Sequence, residues 1–127
     1  MKTARTAVIA VLLTTLAAPA FAEGDAAKGK KVFNKCKACH AVGEGAKNKV
    51  GPVLTGIVDS PAGQSPDFKY SATLIEAAEA GLVWDTESLS AFLTKPKDFM
   101  DGTKMSFAGL RKESDIENII AYLKSAE

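Results

Sequence analysis

The chain has 127 residues, 46% of them hydrophobic, with 16 Lys and Arg against 15 Asp and Glu. That hydrophobic share excludes an intrinsically disordered chain, and the length suits one globular domain. The near balance of charge excludes a general nucleic-acid binder, which needs a clear excess of Lys and Arg to displace counterions from phosphate.

The first 22 residues read as a secretory signal. Lys2 and Arg5 form a basic start, "AVIAVLLTTL" from Ala7 to Leu16 is apolar, and Ala20, Phe21 and Ala22 end in a small-x-small pattern. Ten strongly apolar residues fall far short of the roughly 20 that span a bilayer, so cleavage after Ala22 is expected, with no membrane insertion. Residues 23–127 are then the working domain. Loss of Lys2 and Arg5 takes the 16 basic residues to 14 against an unchanged 15 acids. Export also places the domain in the periplasm, where two free thiols close in sequence do not persist.

From Asp25 to about Lys35 the spacing of Ala26, Gly29, Val32 and Phe33 predicts a helix with one apolar face. A glycine inside a helix costs about 1 kcal/mol against alanine, so Gly29 predicts the close approach of another backbone. The helix runs into "CKACH", residues 36–40, which hold both cysteines and the single histidine of the chain.

Three chemistries use C-x-x-C. Structural zinc needs four ligands, and only Cys36, Cys39 and His40 lie in reach of one another. A thioredoxin-like dithiol expects a strand before the motif, and here a helix precedes it. Covalent haem attachment uses the pentad C-x-x-C-H: each thiol adds to a vinyl group, and the adjacent imidazole ligates iron. The spacing puts both sulfurs on one side of a turn and brings His40 beneath the ring they hold.

The segment from Ala41 to Lys69 shows no periodicity. "SATLIEAAEAG" predicts a helix capped by Ser71 and stopped at Gly81, and "DTESLSAFLTKP" predicts one that starts at Asp85, buries Leu89, Phe92 and Leu93, and ends before Pro96. Met100 reads as packed at the end of a short helix. Met105 follows a turn at Gly102, in a stretch suited to a loop. "SDIENIIAYLKSAE" carries a capping box, Ser114 and Glu117, and then Ile116, Ile119, Ile120 and Leu123 at helical spacing. The two terminal helices are expected to cross at Gly29, with Phe33 against Ile119 and Tyr122. The fold class is all-α, with long loops that need an apolar cofactor to complete so small a core.

Iron in a porphyrin has two axial positions, and His40 fills one. With no second histidine, the sixth ligand is a methionine, a lysine, an asparagine, a gas or nothing. Of Met100 and Met105, the loop position of Met105 favours it.

The ordered set "CKACH", "GPVLTGI", "GQSPDFKYS", "GLVWDTESL", "KPKDFMDGTKMSFAGL" and "IIAYLK" resembles the class I c-type cytochromes, and within them the soluble bacterial cytochrome c2 group and its mitochondrial relatives. The resemblance covers essentially all of the chain after the signal. It implies terminal helices that cross, two or three further short helices, and one haem c held through Cys36 and Cys39 with His40 and Met105 as axial ligands. It further implies that Pro52 offers its carbonyl to the far nitrogen of His40, that Tyr70 and Trp84 hydrogen-bond a buried haem propionate, and that Thr103 lies beside the other edge. Two departures stand out. Phe92 replaces a tyrosine common in relatives, and Ser60 stands near where relatives often carry an arginine.

The implied activity is one-electron transfer, not enzymatic turnover. Expected partners are membrane redox complexes: a cytochrome bc1-type donor, and a reaction centre or cytochrome oxidase as acceptor. Docking is expected through a positive face made by Lys35, Lys37, Lys47, Lys49, Lys97, Lys104 and Lys112, with acids elsewhere in Glu76, Glu79, Asp85, Glu87, Glu113, Asp115 and Glu117. Nothing in the sequence demands more than a monomer.

Overall fold

Asp25 lies in extended backbone, and its carboxylate accepts from the Lys28 amide at 3.0 Å. That cap starts α1, Ala26–Val32. The computed structural model describes residues 23–126, so the expected signal segment, residues 1–22, lies outside the described residues. Helix α1 tightens into a 3-10 turn at Phe33–Lys35 and leads directly to Cys36. Continuity of helix into the motif is therefore as expected, although the α-helical part is shorter than the spacing predicted.

Helix α2, Ala72–Glu79, is capped by Ser71, whose hydroxyl accepts from the Leu74 amide at 3.2 Å; it ends ahead of Gly81 at φ 93°. Helix α3, Thr86–Thr94, starts at Asp85, whose carboxylate accepts from the Ser88 amide at 2.7 Å. Helix α4, Pro96–Phe99, follows with proline at its first position, where a missing N–H costs nothing.

Helix α5, Glu113–Ser125, corrects one expectation. Its N-cap is Lys112, in extended backbone and without a side-chain cap bond, so Ser114 lies inside the helix and no capping box forms. The first turn instead carries Glu113 and Asp115, whose charges suit the positive end of the helix dipole.

The α1 and α5 faces predicted from periodicity meet as expected. A Cβ on Gly29 would stand 1.9 Å from the Asn118 carbonyl oxygen and 2.7 Å from Tyr122 Cβ, so only glycine allows the crossing. Phe33 packs on Tyr122 with ring centroids 5.4 Å apart. Val32, Phe33, Ile116, Ile119, Ile120 and Leu123 are all buried in one core cluster. The Asp25 amide donates to Asn118 Oδ1 at 2.8 Å across the same junction.

No named strand occurs among the described residues. An isolated antiparallel bridge joins Pro61 and Val83, flanked by backbone bonds from Ala62 N to Leu82 O at 2.9 Å and from Trp84 N to Ser60 O at 2.8 Å. This clip ties the long irregular segment to the residues before α3. Trp84 joins the same core as Leu89, Phe92, Leu93, Met100 and Leu110.

Candidate cofactor-binding site

The 3-10 turn that ends the first helical run does not stop at Lys35. The amides of Cys36 and Lys37 both donate to Phe33 O, and those of Cys39 and His40 both donate to Cys36 O, at 2.8 to 3.0 Å. Residues 36–40 therefore wind as one more tight coil, which carries both thiols and the imidazole together. Cys36 and Cys39 are half-buried and form no disulfide with each other. Burial pushes the Cys36 thiol up, against a lowering by the Lys35 ammonium and a further rise from Cys39.

His40 donates from Nδ1 to the Pro52 carbonyl at 2.7 Å. With the proton on Nδ1, the free lone pair of the neutral ring lies on Nε2. Burial pushes the imidazole below its ordinary value, opposed by the Pro52 bond and aided by Lys49, so the neutral form is favoured. Gly51 completes the seat: a Cβ there would meet His40 Cε1 at 2.4 Å and both ring nitrogens at 2.8 Å. The Gly51 amide also donates to Cys39 O at 2.8 Å, which fastens this loop to the motif. Sequence reading passed over Gly51. Its signal was a glycine before a proline, a position restricted to extended backbone, where no left-handed conformation calls for glycine.

Met105 lies outside any helix, half-buried against the core together with Cys36, Leu54, Ile57 and Phe107. Its amide donates to Thr103 Oγ1 at 3.3 Å, and the Thr103 amide donates to Met100 O at 3.1 Å, a chain of turns built on Gly102 at φ 85°. Met100 is 6% exposed and sits inside the core as the residue that ends α4. The two methionines thus divide as read: one packed, one on a loop at the core's edge.

Tyr70 is half-buried, and its hydroxyl accepts from the Ser65 amide at 2.9 Å, which leaves its own O–H free to donate elsewhere. Trp84 is 5% exposed, with its ring 5.0 Å from Phe92 and 6.1 Å from Phe99 by centroid. Phe92 thereby packs in one aromatic cluster with Trp84 and Phe99. Ser60 donates from its hydroxyl to Ile57 O at 2.7 Å, so it closes its own turn.

The seven lysines singled out from the sequence are all exposed. Separation from the acids is incomplete: Lys35 Nζ lies 3.8 Å from Asp115 Oδ2, because the α1–α5 crossing brings the first turn of α5 beside the end of α1. Lys49 Nζ donates to Lys37 O at 2.5 Å, and Lys104 Nζ reaches Lys69 O and Tyr70 O at 3.3 Å each.

The donor set fits a tethered porphyrin. Among the described residues no three His, Cys, Asp or Glu side chains close around one point, so the two thiols and the imidazole do not cage a bare ion. A group that brings four equatorial nitrogens of its own asks the protein only for tethers and axial donors. Two half-buried thiols on one turn, an imidazole fixed in one tautomer and a loop thioether have the chemistry such parts require.

The profile of the family described as Cytochrome c matches residues 26–127. The cytochrome c-550 of Ancylobacter novellus is 56% identical over 99 residues, which cover 78% of this chain and 92% of that protein. The cytochrome c2 of Agrobacterium tumefaciens (strain II Chrys) is 52% identical over 101 residues, covering 80% and 91%. The solved structure of cytochrome c2 from Rhodospirillum centenum aligns with a TM-score of 0.77 at 44% identity, over 81% of this chain and 98% of that one.

Proposed function

The chain belongs to the cytochrome c family, and from that premise we propose that it is a soluble periplasmic one-electron carrier with His40 and Met105 as axial ligands. As a member of the family it carries one covalent haem c and acts as a haem-based electron carrier. When bound, the haem supplies the one-electron couple; the protein's own residues hold it, tune it and shield it.

Cys36 and Cys39 tether the group as thioethers. His40 donates from Nε2, and the Pro52 carbonyl that accepts its Nδ1 proton makes it a stronger and better oriented donor. A thioether from Met105 favours the reduced state, and burial does the same because the oxidised site carries one more positive charge. Tyr70, with its hydroxyl proton free, Trp84 and Thr103 provide donors for the carboxylate edge. The observation that carries this reading is the His40 seat: a 2.7 Å bond to Pro52 with Gly51 pressed against the ring. Such a fixed imidazole suits a ligand that must not move when the electron does.

Partners on this reading are membrane redox complexes, met through the exposed lysines, after export and removal of residues 1–22. The protein works as a monomer. The test is the visible spectrum of the exported protein, oxidised and reduced, with and without carbon monoxide. A low-spin c-type spectrum with a weak far-red sulfur-to-iron band, unaltered by carbon monoxide, is expected. A spectrum changed by carbon monoxide would overturn Met105 ligation in favour of gas binding, and an absence of haem bands would return the site to thiol chemistry.

A further inference from the structure

The peptide unit between Pro52 and Val53 is held from both ends. Its carbonyl accepts His40 Nδ1–H at 2.7 Å, and its N–H donates to Asn48 Oδ1 at 2.9 Å. The same carboxamide donates from Nδ2 to Pro66 O at 2.8 Å, while Oδ1 also accepts from the Ser65 hydroxyl at 2.7 Å. An amide N–H can only donate and a carbonyl can only accept, so these partners fix which end of the carboxamide faces which loop.

We propose that Asn48 is a positioning residue for the iron ligand: it aims and polarises the Pro52 carbonyl and thereby sets how strongly His40 donates to iron. The proposal rests on the reading of His40 as an axial ligand. Two physical arguments carry it. A peptide unit is planar, with C=O and N–H pointing in opposite directions, so a side chain that fixes the N–H also fixes the direction of the C=O. Every link also donates in the same sense, from imidazole to Pro52 carbonyl, from Val53 N–H to Asn48 Oδ1, and from Asn48 Nδ2–H to Pro66 carbonyl. Hydrogen bonds aligned head to tail polarise one another, so the bond to Pro66 strengthens the bond to His40. A stronger acceptor at Nδ1 makes Nε2 more basic.

A plain structural tie predicts something different. Asn48 also joins the loop at 48–53 to the loop at 65–70, where the Ser65 amide donates to Tyr70. If that were its whole role, any substitution would loosen both loops and leave the imidazole bond as it is.

The experiment reads the His40 Nδ1–H resonance of the reduced holoprotein by NMR, with the reduction potential, in Asn48→Ala, Asn48→Asp and Ser65→Ala. In Asn48→Ala the resonance should move upfield and exchange about tenfold faster, and the reduced form should gain about threefold against a fixed redox couple, near 28 mV for one electron. Asn48→Asp keeps an acceptor for Val53 N–H and makes it stronger, so the resonance should move downfield. Ser65→Ala removes the other bond to Oδ1 but leaves the relay, so the His40 resonance should stay in place while amides of the 65–70 loop exchange faster. An unchanged resonance in Asn48→Ala, or shifts of the same sign in the Ala and Asp variants, would overturn the proposal while His40 ligation stood. Absence of a ligated His40 resonance in the parent would overturn both. Should Asn48→Ala fail to fold, the sign in Asn48→Asp decides.

Discussion

Replacing Gly29 by alanine sets helix propensity against packing, and the two effects have opposite signs. In an isolated helix the change stabilises by about 1 kcal/mol. In this fold the new Cβ would lie 1.9 Å from the Asn118 carbonyl oxygen, and real Cβ atoms essentially never come within 3.0 Å of such a neighbour. The obstacle is backbone, so α5 must retreat by about 1 Å at the crossing. That retreat stretches the 2.8 Å bond from the Asp25 amide to Asn118 Oδ1 and opens the Phe33–Tyr122 contact. Overpacking costs about 1 to 3 kcal/mol and a lost hydrogen bond about 1 more. The net expectation for Gly29→Ala is a destabilisation of about 2 kcal/mol, or roughly 10 °C in Tm for a domain of this size. Thermal and denaturant unfolding of the holoprotein by far-UV circular dichroism measures it, with Ala27→Gly on the exposed face of α1 isolating the propensity effect. A Gly29→Ala protein as stable as the parent, or more so, would mean that the crossing is not as tight as described.

Gly51→Ala should disturb the iron site with little effect on the helices, because its Cβ would meet the His40 ring at 2.4 Å; the Soret band and reduction potential should shift while helical circular dichroism is kept. Met105→Ala should lose the far-red band and let carbon monoxide bind the reduced protein, whereas Met100→Ala should keep both properties and lose about 2 to 5 kcal/mol of stability, read from unfolding midpoints. Asp85→Ala should cost about 1 kcal/mol at neutral pH through the loss of the α3 cap. The Ser88 amide and hydroxyl hold the Asp85 carboxyl below 3.8, so the unfolded chain takes up its proton first. The parent's advantage over Asp85→Ala is then complete above pH 3.8 and fades as pH falls through the depressed folded value, as acid titration of both proteins would reveal. Electron transfer to a membrane redox complex should slow as salt rises, and Lys49→Glu should flatten that dependence; a rate indifferent to ionic strength would rule out steering by the lysine face.

The sequence alone determined the parts whose signals are local. A pentad is chemistry and spacing together, so "CKACH" pointed to a tether and a ligand without any fold. Apolar periodicity likewise placed the faces of α1 and α5, and Gly29 announced their crossing because a helical glycine needs a reason. Caps at Ser71 and Asp85 were legible for the same cause: the side chain bonds an amide three residues on. At α5 this local rule failed. Ser114 and Glu117 match the capping pattern, yet the chain leaves extended backbone two residues earlier, at Lys112, once Leu110 N is tied to Leu93 O at 2.8 Å. Long-range pairing decided that boundary.

Only the tertiary structure could bring Gly51 against His40, connect Asn48 to both Val53 and Pro66, or set Asp115 beside Lys35. Each of these depends on where irregular loops or separate helices return in space. Loops carry no periodic pattern, and their paths are set by backbone hydrogen bonds to partners distant in sequence, so the residues that would hold a ligand can be read from the chain while Gly51, pressed against the His40 ring, cannot.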